Sequence, residues 1–254
     1  MGMLRYVFLG LVQGLTEFLP VSSSAHLLLL RDWLGLGEPA PLLVAFLHLG
    51  TLLALAFWFW RDFLWLALAF TKKGKEARRY LGRLALGLIP VFVLALFFGE
   101  KMEEAFSTAR LAAGLLFVTA ALLFLSDRVK EGGKEFPTPV QALFVGLAQA
   151  IAVFPGISRS GATVTAGLFL GLRRAEAFRF SFLLGMPTFI GAALLSLRQG
   201  QGAESWAGLA AGALSAFVFG LFALGLFRKA LLRRRLWPFS LYCLLLGLSG
   251  LIFA

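Results

Sequence analysis

The sequence predicts an all-α protein that crosses a membrane several times, with about six transmembrane helices and two re-entrant helix-turn-helix hairpins. Three observations predict it. Of 254 residues, 59% are hydrophobic and 15% charged, with a mean hydropathy of +0.86, far from the composition of a water-soluble domain. Six apolar runs approach the length a helix needs to cross hydrocarbon, about 20 residues. Two further apolar regions are broken near their middle by polar residues, Pro and Gly.

In chain order, the first broken region covers residues 4–34 and contains "LVQGLTEFLPVSSSAHL" at 11–27. No cleaved leader is expected there, because the polar break arrives where an apolar leader core would continue. Spanning runs follow at 41–60, 80–99 and 108–126. The second broken region is 138–170, with "PGISRSGAT" at 155–163. The last three runs are 175–197, 205–227 and 236–253.

The net charge of +11 follows topology rather than a nucleic-acid partner. Segments 61–79, 128–134, 173–179 and 228–235 hold 17 of the 24 Lys and Arg residues, the asymmetry of cytoplasmic loops. If 138–170 crossed the membrane, the five positive charges of 228–235 would lie outside. A hairpin that turns back keeps all four basic segments inside, and both termini then lie outside. The single Cys243 sits in the last apolar run, so neither a disulfide nor a thiolate metal site is expected.

The chain repeats itself. Shifted by 136 residues, Gly10, Leu11, Gln13, Phe18, Ser22 and Ser24 fall on Gly146, Leu147, Gln149, Phe154, Ser158 and Ser160, and nine of 27 gapless positions are identical. One membrane domain, residues 1–254, would comprise repeat 1 (about 1–126) and repeat 2 (about 138–254). Three spanning helices separate the broken regions, and an odd number inverts the second copy, an architecture that places functional groups near the midplane. Pro20 and Pro155-Gly156 stop one half-helix at each break, and Ser22 or Ser158 can cap the next. The exposed N–H groups of the second half-helices suit an anion.

The two breaks differ in their chemistry. Gln13 and Glu17 share a helix face at i and i+4 and offer oxygen ligands for a divalent cation, Mg²⁺ or Ca²⁺; a Gln–Glu hydrogen bond that only packs the hairpin is the alternative. His26 close to Ser22–Ser24 and Glu17 suggests a hydroxyl nucleophile with an acid/base partner, with Ser23 and Ser24 both candidates. Arg159 presents a fork for phosphate, surrounded by the hydroxyls of Ser158, Ser160 and Thr163 and the Gly161 backbone; a structural ion pair with Glu17 is its plainer alternative. Under the repeat, Glu17 and His26 align with Val153 and Ala162, and Ser23 with Arg159. One composite site, acid/base on one side and phosphate-holding on the other, suits phosphoryl transfer. His48 is expected as a packing or supporting polar residue, Glu103 and Glu104 as solvated loop residues, and Met186-Pro187 as a kink beside a lateral opening.

Gln13-x-x-x-Glu17, "FLPVSSSAH" from Phe18 and "PGISRSGAT" from Pro155 resemble the undecaprenyl-diphosphate phosphatase family, the bacitracin-resistance proteins, over essentially the whole chain. Many relatives read Ser-Ser-Thr-Gly-His where this chain has Ser22-Ser23-Ser24-Ala25-His26. The resemblance implies hydrolysis of undecaprenyl diphosphate at the outer face of the bacterial cytoplasmic membrane, assisted by a divalent cation and recycling the carrier lipid for peptidoglycan synthesis. It implies catalytic roles for Glu17, Ser23 and His26, with Arg159 neutralising charge. Ser158, Arg159 and Thr163 would hold the diphosphate, to which the two cradles add Ser22, Ser24, Ser160 and Gly161. Expected partners are the polyprenyl lipid and membrane lipids; a homodimer is compatible with the sequence. The rival class is an inverted-repeat transporter or flippase for an anionic lipid or small anion, with Glu17 and His26 coupling protons.

Overall fold

The computed structural model describes residues 2–34, 40–105, 108–199 and 205–253. Eleven α-helices run through them: α1 (Met3–Phe18), α2 (Ser23–Leu34), α3 (Pro41–Trp58), α4 (Trp60–Ala67), α5 (Lys75–Ala105), α6 (Ala109–Ser126), α7 (Pro139–Ile151), α8 (Arg159–Phe169), α9 (Arg174–Gln199), α10 (Trp206–Leu232) and α11 (Trp237–Phe253). Helices α3, α5, α6, α9 and α10 are long and apolar enough to cross a membrane. The sixth expected span, α11, has 17 residues, at the lower limit of spanning length. Exposed aliphatic and phenylalanine side chains such as Leu53, Phe57, Leu96 and Phe222 clothe the bundle, as a lipid-facing surface requires.

The two broken regions become two pairs of short helices, α1–α2 and α7–α8. At 11 to 16 residues each these helices reach roughly 17–24 Å, short of the ~30 Å hydrocarbon core. Their starts are locally encoded. Thr138 and Gln141 close a capping box at the start of α7, and the Ser158 side chain accepts the Gly161 N–H at the start of α8 (3.2 Å), satisfying N–H groups that a helix start leaves open.

Packing follows the 136-residue shift. Helix α1 packs on α10 as α7 packs on α5, while α6 lies on α11 and α3 on α9. A Cβ at Gly10 would lie 2.3 Å from the Gly212 carbonyl oxygen, and one at its mate Gly146 would lie 2.0 Å from that of Gly87. Both positions demand the same backbone approach, and only glycine permits it. The breaks are held from behind in matching fashion. Thr119 on α6 donates to the Gly156 carbonyl (2.8 Å), and Cys243 on α11 donates to that of Pro20, the residue aligned with Gly156 (3.7 Å). Gly156 itself has φ +101°, and a Cβ there would meet the Ala112 carbonyl oxygen at 2.2 Å.

Two arginines of α9 turn inward. Arg174, 1% exposed, donates to the carbonyls of Ser126, Val129 and Leu231, placing positive charge against the C-terminal ends of α6 and α10. Arg179 donates to Asp62 on α4 and lies over the Trp65 and Tyr80 rings. Thus α4, which the sequence suggests only as part of a basic loop, is a short helix clamped to α9. Glu103 and Glu104, expected in a loop, fall in the last turn of α5; their side chains lie outside the described residues.

Candidate active site

The two breaks meet. The Gly156 N–H of the second donates to Ser22 Oγ of the first (3.1 Å), and Ser160 Oγ donates to the Leu19 carbonyl (3.4 Å). Ser22 has φ +67°, a left-handed conformation rare for a residue with a side chain and typical of functional turns. Each break also carries a serine pair at one spacing: Ser22 Oγ and Ser24 Oγ are 3.2 Å apart, and Ser158 Oγ and Ser160 Oγ are 3.3 Å apart.

Glu17 is the hub of this meeting. Its Oε2 accepts from Gln13 Nε2 (2.9 Å) and from the Ser23 hydroxyl (2.6 Å), and its Oε1 accepts from Arg159 Nη2 (2.5 Å). The Glu17 side chain is 4% exposed, and a charge so buried is tolerable only when paired and hydrogen-bonded. Both plainer alternatives from the sequence, the Gln13–Glu17 hydrogen bond and the Glu17–Arg159 ion pair, are therefore present, and the ion pair joins the two hairpins. Arg159 Nη1 donates to the Gly185 carbonyl (3.3 Å) and Thr188 Oγ1 (3.2 Å), and its guanidinium lies 3.5 Å from the Phe189 ring centroid. Phe189 packs edge-on against Phe18, the neighbour of Glu17, and Phe18 against Phe182. One aromatic cluster thus fixes both ends of the ion pair.

A cavity of about 170 Å³ opens over these groups, lined by Glu17, Ser22, Ser23, Ser24, Ser158 and Arg159 together with Thr16 and His48. A second of the same size adjoins it, sharing Glu17, His48, Ala152 and Arg159. The other expected site residues lie behind this lining. The Gly161 N–H is used by Ser158, Ser160 bonds Ser158 and Leu19, and Thr163 donates to the Arg159 carbonyl and contacts Ser181. They shape the turn that presents Arg159. His26 also stands back from the cavity: Nδ1 contacts the Ser22 carbonyl (2.7 Å) and Nε2 the Tyr242 hydroxyl (2.7 Å). Between Ser23 and Ser24, the fold brings Ser23 to the carboxylate.

Three further residues belong to the site. His48, expected as a packing or supporting residue, lines both cavities. Thr188 and Phe189 follow Pro187, the in-helix proline of α9, and line the second cavity. For His48, nothing in its own helix reveals the direction it faces. For Gln149, which lines the second cavity, the repeat carried a signal through its alignment with Gln13.

For a divalent cation the donor set is sparse. Among the described residues no group of three or more His, Cys, Asp or Glu side chains could hold one. Glu17 and Gln13 offer one carboxylate and one amide oxygen. That fits an ion carried in by phosphate oxygens, in the manner of Mg²⁺, and not a cage built by protein alone.

Residues 6–249 match the family described as bacitracin resistance protein BacA. This chain belongs to that family. It is 41% identical over 263 residues to an undecaprenyl-diphosphatase of Syntrophotalea carbinolica, covering 100% of this chain and 99% of the relative. Undecaprenyl-diphosphatases of Halothermothrix orenii (38% identity, 100% and 99% covered) and Desulforapulum autotrophicum (37%, 97% and 96%) are similar over the same length. The hub residues Gln13, Glu17, Ser23 and Arg159 all lie inside the matched region.

Proposed function

We propose that this protein is a membrane hydrolase that converts undecaprenyl diphosphate to undecaprenyl phosphate, recycles the carrier lipid for peptidoglycan synthesis and so confers bacitracin resistance. The observation that carries the proposal is the convergence of Ser23, Gln13 and Arg159 on Glu17 at a cavity between two hairpin breaks. A bacterial cytoplasmic membrane, both termini outside and an outward-facing site are part of the same proposal; the distribution of the four basic segments along the sequence supports the placement of the termini, and the outward-facing site rests on the family resemblance.

The terminal phosphate enters the serine-lined cavity. There the hydroxyls of Ser22, Ser24 and Ser158 and the Arg159 guanidinium meet its oxygens, and Arg159 exchanges Glu17 for phosphate. Charge-assisted donors aimed at developing negative charge are the main source of phosphoryl-transfer catalysis. Ser23 Oγ attacks the terminal phosphorus while its proton passes to Glu17 Oε2, which already accepts it at 2.6 Å. The bond from phosphorus to the bridging oxygen breaks, and the lipid monophosphate leaves with that proton from Glu17. Glu17, again a carboxylate, takes a proton from a water that attacks the phosphorus, and returns it to Ser23 Oγ as the phosphoserine bond breaks and inorganic phosphate leaves. His26 holds the turn through the Ser22 carbonyl and so positions Ser23. A divalent cation, bound by Glu17, Gln13 and phosphate oxygens, would supply further charge neutralisation.

Purified protein given undecaprenyl diphosphate should release inorganic phosphate, with the rate falling in chelator. Glu17→Ala and Arg159→Ala should each abolish it. Release of phosphate by either variant at the wild-type rate would overturn the site. The transporter alternative is not favoured, because full-length relatives carry a hydrolase name.

A further inference from the structure

The second cavity contains a buried amide with nothing to bind. Gln149 is 1% exposed, and neither its Nε2 nor its Oε1 has a hydrogen-bond partner among the described residues. Its repeat mate Gln13 shows why. Gln13 donates to Glu17, but the residue aligned with Glu17 in the second copy is Val153. A buried polar group left unpaired is costly, and one retained next to a cavity points to a ligand that completes it.

Geometry indicates the ligand. The second cavity meets the serine-lined one at Arg159 and Glu17. Arg159 presents Nη2 toward Glu17 and Nη1 toward Thr188, so one guanidinium can face two adjoining phosphates. The two cavities differ in their remaining walls. The first is lined mostly by hydroxyls; the second has Val91, Val153 and Ala192. Val153 lines only the second cavity and is 47% exposed, two residues beyond the exposed Ile151 at the end of α7, so the second cavity is the one with an apolar mouth. His48 Nδ1 is held by the Val44 carbonyl (2.9 Å), which leaves Nε2 for a ligand.

We propose that the second cavity holds the lipid-proximal phosphate, the one the product keeps, with Gln149 as its side-chain donor and Val153 at the exit of the prenyl chain. This rests on the diphosphatase function above and assigns the two phosphates to two cavities. The terminal phosphate lies among the serines, while the retained phosphate is held by a neutral amide. A neutral donor grips a phosphate less tightly than a second cation would, which favours release of the monophosphate.

Inhibition of full-length purified protein by polyprenyl monophosphate and by inorganic phosphate tests the assignment, because each inhibitor occupies one cavity. In Gln149→Leu, monophosphate inhibition and KM for the diphosphate should each weaken about tenfold, the loss of one hydrogen bond of about 1.4 kcal/mol. Inhibition by inorganic phosphate should not change. Melting temperature should hold or rise, since an apolar residue removes the orphaned amide. Gln149→Met, measured in parallel, guards against misfolding of the leucine variant. Unchanged monophosphate inhibition in both variants would overturn the proposal, as would a selective loss of inhibition by inorganic phosphate. A wild-type protein that hydrolyses no polyprenyl diphosphate would instead remove the function beneath it, and the proposal with it.

Discussion

The two hairpins share a backbone plan and divide the chemistry between them. Both break at aligned positions, both pair serines two residues apart, and both approach a spanning helix through an aligned glycine, Gly10 or Gly146. The first carries the carboxylate and its serine; the second carries the guanidinium. Duplication supplies a scaffold with two anion-friendly turns facing each other, and divergence at three aligned positions makes one site out of them. Gln149 marks where the second copy carries the amide of Gln13 with no carboxylate to match Glu17.

The largest effect should come from the carboxylate that side chains of both hairpins reach. Glu17→Gln removes the base that takes the Ser23 proton and leaves Arg159 with an unpaired buried charge, so phosphate release should fall by about 10³-fold or more. A loss below tenfold would separate the hairpins functionally. Ser23→Ala should follow at about 10²-fold or more, whereas Ser24→Ala, whose hydroxyl meets Ser22 and not Glu17, should lose far less. Equal losses would break the distinction between the two serines. Ser158→Ala removes the cap of α8 and should cost about 1 kcal/mol of stability, read from thermal unfolding in detergent. The smallest effect belongs to the support of the first break. Tyr242→Phe deletes the hydroxyl at His26 Nε2 and should slow turnover by no more than about tenfold, the range of one hydrogen bond.

Much of this plan was legible in the sequence because its signals are local. Proline and serine at the breaks, the i, i+4 spacing of Gln13 and Glu17, and the arginine in an apolar hairpin can be read without a fold. The repeat aligned Ser23 with Arg159, and the structure brings both to Glu17. What stayed hidden depends on contacts far apart along the chain. His26 finds Tyr242 216 residues away, so its ring turns from the cavity that its proximity to the serines suggested. His48 and Thr188 line the site only because α3 and α9 pack together. Helix α4 was hidden for a different reason: at eight residues it is too short to leave an apolar run.

The most direct measurement of the composite site is a double-mutant cycle on kcat/KM for undecaprenyl diphosphate, using Glu17→Gln, Arg159→Gln and the double variant. The two side chains lie on different hairpins 142 residues apart in sequence and in direct contact in the fold. One shared site predicts strong non-additivity, with the double variant little worse than the worse single and a coupling above about 1.5 kcal/mol. Losses that add to within about 0.5 kcal/mol would mean that the two breaks act as independent sites, and would contradict the account.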